Sequence, residues 1–207
     1  MLDIIGDISL SFTSEQVVLL VLLAFSLHYG RLFFFQTISF VLFAVITNMA
    51  LKTLFSIHLE PYLHHGGYAF PSGHMQFATT FYTWLALYSA SASWIKRSFV
   101  ALLLAGVGTG LVRYGYHSID DVLAGLIVGL VLVLLYRYAL RHCAKMLPWI
   151  LLGLATISLL YIRTLDPSLH YLAIVKNYYL NLWILVILQK ANERFHVFHK
   201  KRRVCNE

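Results

Sequence analysis

Charge is what this chain has least of. Only nine of its 207 residues are acidic, and Asp, Glu, Lys and Arg together make up 12%, about half the one-quarter share of a soluble domain. With 59% hydrophobic residues, a water-soluble globule is excluded and a polytopic membrane protein is expected. Cysteine is equally scarce. Cys143 and Cys205 stand beside basic residues and outside any CxxC or Cys/His ligand pattern, so two free thiols are expected, with no structural metal. Residues 1–14 carry Asp3 and Asp7 but no Lys or Arg, which argues against a cleavable signal peptide of the usual kind. Low-complexity tracts and internal repeats are also missing.

What is present is a series of apolar runs, at about 15–30, 32–51, 75–94, 98–112, 121–136, 146–162 and 168–189. Each is long enough, or nearly so, to cross a hydrocarbon core of about 30 Å as a helix. The expected fold is therefore all-α, a membrane helical bundle of six to seven transmembrane helices. Residues 1–14 read as an interfacial segment, 15–190 as a single transmembrane domain and 191–207 as a basic tail. The last run is interrupted by Lys176, Asn177 and Asn181, so a membrane-lying helix is its alternative reading.

The net charge of +7 does not point to nucleic acid, because the basic residues sit between apolar runs and in the tail. Assigning the loops to alternating sides places twelve of the sixteen Lys and Arg on one side and three on the other, with Lys176 inside the last run. The basic side is expected to be cytoplasmic. The N-terminus, the Lys52–His74 loop and the Arg113–Asp121 loop then lie outside, and the tail Lys200–Arg203 becomes a topology anchor that meets anionic headgroups.

Two of these outer loops concentrate ionisable residues beside the membrane, where such groups mark function by default. The first holds His58, Glu60, His64 and His65 and closes on Tyr68-Ala69-Phe70-Pro71-Ser72-Gly73-His74. There Pro71 restricts the backbone, Gly73 permits close approach, and Ser72 and His74 supply a hydroxyl and an imidazole at the mouth of a helix, a cradle suited to an anion. A capped turn that merely starts a helix is the alternative. The second loop holds Arg113, His117, Asp120 and Asp121. His117 and Asp121 are four apart and share a helix face, so the carboxylate can hold one ring nitrogen while the other serves as nucleophile or base. Here the alternative is that the two acids only favour a helix N-terminus.

The pair of loops resembles the type 2 phosphatidic acid phosphatase family, integral-membrane lipid phosphatases related to vanadium haloperoxidases and glucose-6-phosphatase. The resemblance spans about residues 51–125. Pro71-Ser72-Gly73-His74 matches the family's Pro-Ser-Gly-His, and His117-Ser118-Ile119-Asp120-Asp121-Val122-Leu123-Ala124-Gly125 matches its His-x-x-x-Asp with the helix start that follows. The resemblance implies that His117 attacks phosphorus to form a phosphohistidine, that Asp121 orients its ring and that His74 protonates the leaving alkoxide. Lys52, Ser72, Gly73 and Arg113 would hold the phosphate oxygens, with no metal and no cofactor required.

The departures fall on the cations. Gly110 and Leu111 occupy the positions of the family's Ser-Arg pair, leaving Arg113 as a displaced candidate, and Lys52 is followed by Leu59-Glu60-Pro61 in place of Arg-Pro. His58, His64 or His65 are the candidate substitutes. Loss of one charged contact costs on the order of 3 kcal/mol of transition-state stabilisation, or ~100-fold in rate. The expected partners are a lipid phosphate substrate and membrane lipids, and the expected location is a bacterial inner (plasma) membrane with the site on its outer face. Tyr68, Phe70, Tyr114 and Tyr116 are candidates for an acyl entrance. A lipid phosphotransferase with the same intermediate is one rival reading. The other is a catalytically impaired relative that binds lipid phosphates or serves as a scaffold or transporter.

Overall fold

The computed structural model describes residues 2–57, 68–88, 93–165 and 170–205, with side chains over 6–57, 68–88, 93–165 and 172–192. Every regular element among them is an α-helix: α1 (Leu2–Ser11), α2 (Glu15–Tyr29), α3 (Arg31–Phe55), α4 (Gly73–Tyr88), α5 (Trp94–Arg113), α6 (Ile119–Cys143), α7 (Leu147–Leu165) and α8 (His170–Cys205). The all-α expectation holds, and the elements follow the apolar runs.

Among the described residues, five stretches have the length and hydropathy to cross a bilayer: α3, α5, α6, α7 and Leu172–Asn192 of α8. The expected six to seven crossings are not reached on these grounds, because α2 and α4 have only 15 and 16 residues. The long α3 has distinct ends. It begins after Gly30, at φ 85°, and stops at Ser56, whose left-handed φ of 51° breaks the helical repeat.

Helices in lipid gain little from the hydrophobic effect between themselves, so close packing and polar contacts hold them together. Two central helices show how. α4 lies against α3, α5 and α6, while α3 also meets α2, α7 and α8. Where these two meet α6, the Phe40 and Tyr136 rings stack at 4.0 Å, and Trp84, 2% exposed, meets both edge-on. The polar tips are satisfied: Trp84 Nε1 donates to Thr37 Oγ1 (2.9 Å) and Tyr136 OH to the Gln36 carbonyl (3.0 Å). The outward faces carry exposed residues such as Leu27, Leu102, Leu134 and Ile157, as a lipid-facing surface requires. Cys143 is a free, exposed thiol, and the Cys205 side chain lies outside the described residues.

Candidate active site

Two loops reach the same end of the bundle, and they are built differently. The first is the turn Tyr68–Ser72 leading into α4. Tyr68, Ala69 and Ser72 are buried, so their backbone groups need partners. α3 supplies them from one face: Lys52 Nζ donates to the Tyr68 carbonyl (2.6 Å), and one helical turn earlier Asn48 Nδ2 donates to the Pro71 carbonyl (3.4 Å). Asn48 also donates to Gln76 Oε1 (2.8 Å), whose own amide donates to the Ala44 carbonyl (2.9 Å). Ala44, Asn48 and Lys52 thus form a ridge with spacing four against the turn and the first turn of α4. Ser72 caps α4, its hydroxyl accepting from the Met75 amide (3.4 Å) and its carbonyl from the Gln76 amide (3.0 Å).

Glycines set the approach distances. A Cβ on Gly73 would stand 3.1 Å from Asn48 Oδ1, and one on Gly125 would stand 2.6 Å from the Ser72 carbonyl oxygen. Gly125 therefore lets α6 lie against the turn, and the Ser72 amide donates to the Asp121 carbonyl at 3.0 Å. That bond joins the two histidine motifs through the backbone.

The second loop is fixed by its own caps. α5 ends in a Schellman motif, with the Gly115 amide donating to the Val112 carbonyl and the Tyr116 amide to the Leu111 carbonyl, both at 3.0 Å. Gly115 takes φ 69°, the left-handed conformation that this cap demands. One residue later α6 begins in a capping box. Ser118 Oγ accepts from the Asp121 amide (3.1 Å), and Asp121 Oδ2 accepts from the Ser118 amide (2.9 Å). His117, whose amide also points to the Leu111 carbonyl (3.3 Å), is the single residue between the two caps.

Its ring turns Nδ1 towards Asp121 Oδ2 at 3.6 Å, beyond hydrogen-bond range, and that nitrogen is buried without a hydrogen-bond partner. Asp121 therefore caps the helix and faces the imidazole with one and the same oxygen.

Electrostatics tie the loops together. Burial first, and then the positive charge of Lys52, lower the His117 pKa to about 4, with Asp121 pulling the other way and His74 lowering it further. His74 is shifted down as well, by burial and then by Lys52. Both imidazoles are thus neutral in the free site at neutral pH. His117, Asp121, His74 and Lys52 sense one another across three helices.

Ser72 ends the turn and Gly73 opens α4. Arg113 sits at the last turn of α5 with its side chain exposed. His58, His64, His65 and the Leu59-Glu60-Pro61 stretch lie outside the described residues. Of the aromatic candidates, Tyr68 is buried and Phe70 meets Phe55 edge-on at 4.9 Å, while Tyr114 and Tyr116 are exposed. Sequence reasoning passed over Asn48 and Gln76. Their signal was a polar side chain four before Lys52 in an apolar run, and another two after His74.

Comparison with known proteins gives one result. The PAP2 superfamily matches residues 9–145, which hold both histidine motifs and Lys52. This is well over half of the chain, and the chain belongs to that superfamily. No curated protein and no solved structure matches it.

Proposed function

We propose that this PAP2 superfamily protein is a membrane phosphatase that hydrolyses a phosphate monoester or pyrophosphate of a lipid through a phosphohistidine. The observation that carries the reading is the backbone bond from the Ser72 amide to the Asp121 carbonyl at 3.0 Å, which brings the His74 turn and the His117 loop to one place. Membership of the superfamily and apolar helices long enough to span a bilayer fit a lipid phosphatase.

In this reading Nδ1 of His117 faces Asp121, so Nε2 attacks phosphorus and the bond to the lipid oxygen breaks. Asp121 offsets the positive charge that develops on the ring. Catalytic hydrogen bonds are often long in a free site and tighten in the complex, which accommodates the 3.6 Å separation. His74 gives its proton to the leaving alkoxide. Neutral in the free site, it gains that proton as the phosphate dianion arrives and raises its pKa. Water then attacks phosphorus with His74 accepting its proton, the P–N bond breaks with its electron pair returning to Nε2 of His117, and phosphate leaves. Lys52, Arg113 and the Ser72–Gly73 turn hold the equatorial oxygens, where phosphoryl transfer draws most of its catalysis from positive charge and oriented donors. No step runs through a metal or cofactor.

The positive-inside bias supports an extracytoplasmic site and a cytoplasmic tail, and we assign the multi-pass protein to a bacterial inner membrane. A site at that boundary meets head groups whose tails remain in the bilayer, which suits phosphatidic acid, phosphatidylglycerol phosphate, a polyprenyl pyrophosphate or phosphorylated lipid A. Purified protein is to be given a panel of such lipids and free phosphate measured. His117→Ala and His74→Ala should abolish release, and His117→Ala with wild-type release would sink the reading. A supplied acceptor separates the phosphotransferase alternative, in which phosphate passes to the acceptor and none appears free.

The impaired relative has its own supporting observation. Lys52 Nζ is engaged by the Tyr68 carbonyl, and Arg113 is exposed at a helix end. In that case the wild-type protein binds the same lipids and releases no phosphate.

A further inference from the structure

α1 does more than precede the first long helix. It lies along α5 on a seam of small residues: Gly6 meets the Gly110 Cα and the Tyr114 ring, where a Cβ would sit 3.6 Å from each, Ser9 is buried directly on Gly106, and Leu10 covers Gly110. Two hydrogen bonds tie this segment to its neighbours. Beyond its C-terminal end the Phe12 carbonyl accepts from Tyr82 OH of α4 at 2.7 Å, with the two rings edge-on at 6.1 Å. Within it, Asp7 Oδ1 accepts a hydrogen bond from Tyr114 OH.

Tyr114 is the C-cap of α5, immediately before the left-handed Gly115 and three residues before His117. The amides of Tyr116 and His117 converge on the Leu111 carbonyl in the same cap. A grip on Tyr114 therefore acts on the stretch that sets where His117 stands. Asp7 precedes residues 9–145, the part of the chain that matches the superfamily, so this grip comes from outside the matched region.

We propose that Asp7 is a positioning residue for the His117 loop, with α1 as a brace that holds the cap through the Asp7–Tyr114 bond. The inference rests on the reading of His117 as nucleophile given above. Misplacing a reacting group by a fraction of an ångström to 1 Å lowers the rate by tenfold to a hundredfold without weakening substrate binding.

The test uses the full chain in detergent or lipid discs. It compares wild type with Asp7→Ala, Asp7→Asn, Tyr114→Phe and the double variant Asp7→Ala/Tyr114→Phe. Expected are a roughly tenfold or larger fall in kcat with KM within about twofold for Asp7→Ala and Tyr114→Phe, partial recovery in Asp7→Asn, and no further loss in the double variant. Amide exchange at Tyr116 and His117 should be about tenfold faster in Asp7→Ala, with the α1–α5 seam unchanged. The proposal is overturned if kcat and exchange both match wild type. It is equally overturned if the two single effects add, or if exchange rises along the whole seam and not at the cap. Exchange is read without substrate, so a wild type that releases no phosphate sinks the phosphatase reading alone and leaves this test in force.

Discussion

The two loops that carry the histidines are held by opposite means. The turn before His74 is buried and makes its bonds to distant elements: Asn48 and Lys52 of α3, and the Asp121 carbonyl of α6. The loop around His117 closes on itself, through a Schellman cap whose bonds reach back three to five residues and a capping box that spans four. A tertiary clamp places one histidine and local backbone chemistry places the other. The first should respond to changes across α3 and α6, whereas the second should feel distant residues only through the Asp7–Tyr114 contact.

The largest effect is expected where the clamp allows no room. A side chain at position 125 would meet the Ser72 carbonyl oxygen at 2.6 Å, and a backbone oxygen cannot rotate aside. Gly125→Val should cost about 1–3 kcal/mol or more of stability and abolish phosphate release. Gly153→Ala in α7, with nothing within 4 Å of the added carbon, should change neither. Thermal unfolding in detergent and a phosphate assay check both, and an active Gly125→Val would erase the contrast.

Next in size is Lys52→Met, which removes a charge from the site and a donor from the Tyr68 carbonyl. A fall of about 100-fold in kcat/KM is expected. The pH profile adds a signed test. His117 must be neutral to attack, so kcat/KM is lost as pH falls through its folded pKa of about 4. Lys52 helps to depress that value, so Lys52→Met should move the acid limb to higher pH, while Asp121→Asn should move it lower. The same depression means that the unfolded chain binds more protons between about pH 6.5 and pH 4, and stability should decline as pH falls through that window.

Asn48→Ala should come third. It leaves Gln76 Oε1 and the Pro71 carbonyl without their donor and should destabilise the protein by about 1–3 kcal/mol, with a matching loss of thermal stability. Ser118→Ala should have the smallest effect, about 1 kcal/mol, because it removes one cap bond and leaves the Schellman motif in place. If Ser118→Ala proved more damaging than Asn48→Ala, the His117 loop would be the more fragile of the two.

The same contrast explains which parts were legible in advance. Arg113–Asp121 could be read closely because its determinants are neighbours: Gly115 at the helix end, Ser118 three before Asp121, and His117 four before it. The sequence offers two roles for Asp121 as rivals; its Oδ2 caps the helix by accepting from the Ser118 amide and stands 3.6 Å from His117 Nδ1, beyond hydrogen-bond range. Pro71-Ser72-Gly73-His74 could be recognised but not placed, since what buries it comes from residues as far along the chain as Gly125. α1 was expected as a membrane-surface segment, and its contact with α5 depends on Gly106 and Gly110, which resemble any other glycines of an apolar helix.

Composition alone determined that this chain is an all-α membrane protein, because so little charge and so many apolar runs leave the backbone no partner but itself in lipid. The order of the residues added the two histidine motifs. Tertiary structure decided the rest: the ridge of Ala44, Asn48 and Lys52 under the turn, the passage that Gly125 opens for α6, and the grip of Asp7 on Tyr114. Each is a contact between helices whose apolar faces carry no mark of their partner. In lipid, where apolar surfaces are interchangeable, the few polar groups and the glycines that let backbones approach select the pairing, and they act only once the helices have met.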